Sequence, residues 1–317
     1  MQYKFTETGT RAVDDLGRQF EKIMQTANRA SIKTRYRYAA AVERFVKWVQ
    51  PSFKMQKLAN LADKHLFAYV EHLRNSGCSD KYIKNELSAL RYIHSIIPNT
   101  RNHLTDSKKF NAKAGLGSTK NEKATEVDRA WTRRELDEMK TIAINKGRPE
   151  IASMMHASYT LGMRLEEAAT LRRNDVERAI REGKLHLTNT KGGRPRDVPL
   201  SNEARRVLED AIQNVSRGEY VFVPKGEKIH EYKRDVQNFI FKNRDSVQDT
   251  DREESAVNCG GSEGMRSALN YHGLRYSFGQ NLYFELRDQG HEDREAREIV
   301  SQALGHNRVE ITYVYVP

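Results

Sequence analysis

Two arginines, two histidines, a lysine and a tyrosine occupy positions where helices and strands begin or end, and together they suit one chemical task. Arg164 follows a helix break at Gly162, and Glu167 stands three residues after it. Lys191 lies beside glycines at the tip of a short turn. His272 and Arg275 share an H-x-x-R spacing, which places both on one face of a helix. Leu304-Gly305-His306 follows, and Tyr315 stands nine residues beyond His306. Attack on a phosphodiester adds negative charge to its non-bridging oxygens, and arginine answers with an always-charged fork of N–H donors. Loss of one such preorganised donor costs ~2.7–4 kcal/mol of barrier, so two arginines and a histidine supply a large share of a catalytic effect. The sequence carries no carboxylate cluster of the magnesium-binding kind and no Walker glycine loop. With neither metal nor cofactor called for, the chemistry needs a side-chain nucleophile, and tyrosine forms covalent intermediates.

Folded elements must position these groups. Residues 1–100 read as helical throughout. Val13, Leu16, Phe20 and Ile23 fall on one helical face, as do Tyr38, Val42, Phe45 and Val49. A third segment carries Leu66, Phe67, Val70 and Leu73 and stops near Gly77, and a fourth runs from Ser79 with Ile83, Leu87, Leu90 and Ile93. Four short amphipathic helices make a small bundle. From 101 to 127 the pattern dissolves into a polar, lysine-rich stretch with the composition of a basic linker. The remainder, 128–317, opens on Thr132-Arg-Arg-Glu135, a capping box that starts a helix. KLHLT (184–188) and RDVPL (196–200) flank a Thr-Lys-Gly-Gly turn and read as a β-hairpin. Helices dominate the rest, and 244–264 is expected to be a long surface loop or insertion. The fold class expected is therefore mainly α with a small antiparallel β-sheet in the second domain.

Charge narrows the partner. The net charge is +11, and it is unevenly placed: residues 1–130 hold 24 Lys+Arg against 13 Asp+Glu, whereas 131–317 hold 30 of each. A basic module points to a polyanion, most commonly nucleic acid. A hydrophobic share of 38% with 31% charged residues fits a globular protein, and no apolar run is long enough to span a bilayer. The opening MQYKFTETGT lacks a basic-then-apolar signal, and the only cysteines, Cys78 and Cys259, stand far apart without metal-site spacing. A reducing, cytoplasmic location is expected, with no disulfide and no metal.

Five segments in order resemble the tyrosine recombinase (phage integrase) family. YTLGMRLEEAATLRRNDV is similar to its glycine-x-arginine turn with an acidic residue three positions on, and TKGGRPRDVPL to its lysine-bearing hairpin. YHGLRYSFGQNL resembles its H-x-L-R segment, LGH its second histidine motif and ITYVY its nucleophile segment. The resemblance covers residues 130–317, and the helical part before it looks like the family's core-DNA-binding domain. It implies a two-domain, C-shaped clamp around double-stranded DNA. Tyr315 would attack the scissile phosphate to give a 3′-phosphotyrosyl bond and a 5′-hydroxyl, without ATP. Arg164 and Arg275 would hold the non-bridging oxygens. His272 would position the phosphate and assist proton transfer, His306 would donate a hydrogen bond to it, and Lys191 would be the general acid. Glu167 would support the architecture around Arg164. Further implications are a homotetramer on paired sites, integration, excision or resolution of a mobile element, and a bacterial, archaeal or phage-infected cytoplasm. Accessory DNA-bending proteins are a partner that the resemblance leaves open.

Other residues take plainer readings. Tyr313 lies two residues from Tyr315, but the nine-residue spacing from His306 and the three from Thr312 favour Tyr315, leaving Tyr313 to packing. His291-Glu292-Asp293 has no second ligand set and reads as a solvated loop, and Trp48 and Trp131 read as packing residues. Many members of the family continue past the nucleophile into a tail that docks on a neighbouring subunit. With Pro317 two residues beyond Tyr315, three arrangements stay open: no exchange, exchange of the tyrosine segment itself, or a truncated sequence. Two rivals also stand beside the recombinase: a DNA-relaxing enzyme of the type IB topoisomerase kind, and a catalytically silent DNA-binding protein of the same fold.

Overall fold

A computed structural model describes residues 3–26, 32–117, 128–188, 195–249, 268–306 and 308–316, which are mainly helical with one small sheet. The chain divides into two units, Met1–Lys120 and Asn121–Pro317. In the first, the described residues form α1 (Arg11–Thr26), α2 (Ile32–Phe53), α3 (Asp63–Asn75), α4 (Asp80–Ile96) and α5 (Ser107–Lys113). Val13, Leu16 and Phe20 of α1 and Val42, Phe45 and Val49 of α2 bury in one core, as their spacing predicts. On α1 the apolar face closes on Met24, fully buried, while Ile23 is half-buried. α3 ends at Gly77, whose left-handed backbone (φ 75°) lets the Cys78 amide donate to the Leu73 carbonyl at 3.0 Å. Ser79 then caps α4, accepting from the Tyr82 amide at 3.3 Å.

The expected linker over 101–127 needs correction in its first part. Asp106 caps α5, and Phe110 on that helix is fully buried, stacked on Phe67 with ring centroids 4.2 Å apart. The Arg101 amide donates to the Ala59 carbonyl at 2.9 Å, the Thr105 amide donates to Asp63 at 3.1 Å, and Leu116 is buried too. Residues 101–117 thus belong to the first core. A lone phenylalanine among lysines gives no periodic signal. Burying one such ring is nevertheless worth ~1.5–3 kcal/mol, enough to dock a short capped helix. Residues 118–127 lie outside the described residues.

The second unit holds α6 (Arg133–Asn145), α7 (Pro149–Leu161), α8 (Leu165–Ala169), α9 (Arg173–Glu182), β1 (Lys184–Leu187), β2 (Arg196–Pro199), α10 (Asn202–Ile212), α11 (Ile229–Asn243), α12 (Gly273–Asp288) and α13 (Asp293–Ala303), then a 3-10 turn, Val309–Val314. The capping box forms: Thr132 Oγ1 accepts from the Glu135 amide at 3.2 Å and Glu135 Oε2 from the Thr132 amide at 2.7 Å. α7 packs against α6, α10 and α12 and is apolar nearly all round, with Ile151, Met154, Met155 and Leu161 fully buried. The strands pair antiparallel, Leu185 opposite Val198 and Leu187 opposite Arg196, with those four side chains on the buried face. The hairpin tip, 189–194 with Lys191, falls outside the described residues. Of the loop expected over 244–264, the start is built in: Arg244–Ser246 form a 3-10 turn, Val247 is buried, and Asp249 is ion-paired to Arg134. Residues 250–267 are not described. Among the described residues, no helix is long and apolar enough to cross a membrane.

Candidate catalytic site

The site starts where α7 stops. Gly162 closes the helix in the left-handed conformation (φ 59°), and a Cβ there would sit 2.4 Å from the Phe278 ring. Backbone and packing both demand glycine. Its carbonyl accepts from two buried arginines, Arg275 Nη1 at 2.5 Å and Arg196 Nη2 at 3.1 Å. Arg164 follows as the cap of α8. Its amide donates to Glu167 Oε2 at 2.8 Å and its Nη1 to Oε1 at 2.6 Å. The same carboxylate accepts from Arg196 Nη2 at 2.7 Å.

The other wall comes from α12 and the loop after α13. Arg275 is fully buried in the first turn of α12; besides Gly162, its Nη2 donates to the Leu304 carbonyl and lies 3.2 Å from His306 Nε2. Arg196 Nη1 donates to the neighbouring Ala303 carbonyl. His306 Nε2 also lies 3.1 Å from the hydroxyl of Tyr315. Tyr315 is buried, its ring 4.3 Å from that of Tyr276 and its carbonyl held by Gln280 Nε2 at 3.1 Å. His272 caps α12 at the exposed edge, its ring 6.4 Å from the Tyr315 ring.

Two guanidiniums, those of Arg164 and Arg196, therefore share one carboxylate, and Arg275 joins Arg196 on the Gly162 carbonyl. Burial pushes the Glu167 carboxyl up, but Arg196 and Arg164 outweigh it and hold the group below the usual carboxylate range. Burial, reinforced by Arg196, pushes Arg275 down to about 10, which leaves it charged at neutral pH. Burial and then Arg275, Arg164 and Arg196 push His306 down to about 3, so its imidazole is neutral. The Nε atoms of Arg196 and Arg275 are buried without a hydrogen-bond partner. Surplus buried positive charge with unspent donors is costly to folding and suits an anion.

Of the residues singled out from sequence, Arg164, Glu167, Arg275, His306 and Tyr315 come together, His272 stands at the rim, and Lys191 lies outside the described residues. Arg196 was visible only as another basic residue near the hairpin lysine. Its signal was available: in a strand of alternating burial it shares the inward face with Val198. Tyr276 and Gln280 carried no such mark.

Residues 132–317 match the Phage integrase family, and residues 16–102 match the N-terminal SAM-like domain of phage integrases. No curated protein sequence matches the chain. Among solved structures, a lambda integrase dimer bound to a COC′ core site superposes with a TM-score of 0.60 at 15% identity, covering 97% of this chain and 95% of that one. The integrase of transposon Tn1549, in complex with transposon right-end DNA, gives 0.59 at 12% identity, covering 95% and 94%. A lambda integrase tetramer bound to a Holliday junction gives 0.54 at 14%, covering 95% and 76%. At these identities the likeness is one of fold. A basic helical unit and a helical unit whose arginines surround a buried tyrosine define an enzyme that breaks and rejoins DNA strands. The chain belongs to the Phage integrase family, the tyrosine recombinases, and it serves site-specific recombination.

Proposed function

We propose that the protein recombines a mobile element by cleaving double-stranded DNA with Tyr315. The Tyr315 oxygen attacks the scissile phosphorus, the bond to the 5′-oxygen breaks, and a 3′-phosphotyrosyl bond and a 5′-hydroxyl result. The 5′-hydroxyl of a partner strand then attacks the phosphotyrosine, restoring the phosphodiester and releasing the tyrosine. Arg164 and Arg275 hold the non-bridging oxygens, with His272 at the rim, and Lys191 gives a proton to the leaving 5′-oxygen. Neutral His306 can take the phenolic proton at Nε2 and then present that N–H to a phosphate oxygen. Burial first and then three arginines hold the imidazole neutral, and an arriving phosphate offsets the arginines, so proton uptake becomes easier as the reaction starts.

One observation carries this reading: the Tyr315 hydroxyl lies 3.1 Å from His306 Nε2, which Arg275 also meets, beside a carboxylate that Arg164 and Arg196 share. Four protomers on two DNA sites form the active assembly, a reading supported by the tetrameric architecture of lambda integrase on a Holliday junction. The test is a suicide substrate carrying the element's end sequence, nicked near the cleavage point and incubated with the protein in EDTA. A covalent protein–DNA band with the parent and none with Tyr315→Phe is expected. An adduct that persists in the variant moves the nucleophile to Tyr313. A parent that binds the substrate without forming any adduct is a silent DNA-binding protein, and relaxation of plasmids lacking the site marks a topoisomerase.

A further inference from the structure

The nucleophile stands in a weak piece of structure. Tyr315 follows a six-residue 3-10 turn, Val309–Val314, a geometry whose hydrogen bonds are poor and which keeps its shape through outside contacts. Besides Gln280, which holds the Tyr315 carbonyl, an outside contact that reaches both flanks of the tyrosine is Arg297 of α13, only 7% exposed. Its Nη1 donates to the Val316 carbonyl at 3.0 Å, one residue after the nucleophile. Its guanidinium lies over the Tyr313 ring, 4.0 Å from the centroid, two residues before the nucleophile. The fork is itself aimed by Asp293, whose Oδ1 accepts from Arg297 Nε at 2.9 Å and from the Tyr283 hydroxyl at 2.6 Å. The Tyr283 ring lies beneath the same guanidinium at 4.9 Å.

We propose that Arg297 is a positioning residue for Tyr315, gripping the chain on both sides of the nucleophile so that its hydroxyl is held against His306. This rests on Tyr315 being the nucleophile. The partners described for Arg297 all lie outside the arginine cluster, so it acts on the tyrosine and leaves the phosphate-binding groups alone. The job needs a planar fork: one edge meets a carbonyl, another a carboxylate, and the face stacks on a ring. Lysine at 297 keeps the charge and reaches one acceptor at a time. Asp293, which sits in a run that looks like a solvated loop, and Tyr313, which looks like packing, gain a common purpose in this arrangement.

The test is single-turnover cleavage of the suicide substrate at saturating DNA, with DNA affinity measured in parallel on the full chain. Arg297→Met should slow cleavage roughly ten- to a hundredfold, the span of one charge-assisted hydrogen bond, while Kd stays within about twofold. Arg297→Lys should recover part of the rate. A ring-specific contact predicts that Tyr313→Leu cleaves roughly two- to tenfold more slowly than Tyr313→Phe. Cleavage by Arg297→Met at the parent's rate overturns the proposal, as does a loss of affinity that fully accounts for the lost rate. If Arg297→Met does not fold, the Tyr313 pair decides: equal rates for the two variants reject the grip. A parent that forms no adduct refutes the nucleophile itself, a different failure visible before any Arg297 variant is made.

Discussion

Replacing Arg196 by methionine tests whether one buried ion pair organises the site. The Arg196 and Glu167 side chains are 3% and 1% exposed and meet at 2.7 Å, so solvent screens them little. Removing one partner of such a pair costs ~3–5 kcal/mol, because the other charge is left in a low-dielectric interior. Arg164 still holds the second carboxylate oxygen at 2.6 Å, which places the expected loss near the lower end, ~3 kcal/mol. The Gly162 carbonyl keeps Arg275 as a donor, whereas the Ala303 carbonyl loses the Arg196 donor. Methionine roughly conserves volume, so the change reads out charge and hydrogen bonding more than packing. Glu167→Gln removes the charge that Arg196 balances, and the double variant should be less destabilised than the sum of the single ones by ~1–3 kcal/mol. With two units in the chain, unfolding should be followed by urea titration through buried Trp131 in a Trp48→Phe background, which reports the second unit alone. A loss below ~1 kcal/mol, within what an ordinary substitution costs, or strict additivity of the two changes, would show that the pair does not hold the site together.

Two further outcomes follow from the same geometry. His306 titrates near 6.5 when unfolded and at about 3 when folded, so below 6.5 the unfolded chain takes up the proton first; the stability its neutral form contributes is full above 6.5 and is lost as pH falls toward about 3. Thermal unfolding of His306→Gln and the parent should therefore converge or cross in the variant's favour between pH 7 and 4, and parallel curves would mean that His306 is not held neutral. Phe110→Ala should destabilise the first unit by ~3–5 kcal/mol, read by Trp48 fluorescence in a Trp131→Phe background; an effect below ~1 kcal/mol would return 107–113 to the linker.

The helices were legible because their apolar spacing is regular and their ends are marked: Thr132 caps as expected, Ser79 caps the helix expected to run from it, and Gly77 and Gly162 close helices with positive φ. The paired strands were legible from alternation on both sides of Gly192-Gly193. α5 was not, since its one large apolar residue sits among lysines, and a single residue has no period. The start of 244–264 was hidden in another way: Asp249 earns its place by pairing with Arg134, 115 residues earlier, a contact that no local pattern records.

The same distinction separates what the sequence displayed at the site from what it concealed. Arg164, Glu167, His272, Arg275, His306 and Tyr315 stood out because each sits at an element boundary in an ordered series of short motifs. Arg196 and Arg297 did not stand out, and like Arg275 they do much of their work on main-chain oxygens. Arg196 and Arg275 both donate to the Gly162 carbonyl, Arg196 also to Ala303 and Arg275 to Leu304, while Arg297 donates to Val316. A carbonyl is present at every position whatever the side chain, so these bonds leave no complementary residue type for a reader of sequence to find. They also tie the site together. The carbonyls belong to the ends of α7 and α13 and to the segment after Tyr315, and the arginines that bind them come from β2, α12 and α13. Each bond ties two separately folded elements together at a backbone atom, so the charged ends are fixed by the fold before any phosphate arrives, as electrostatic preorganisation requires.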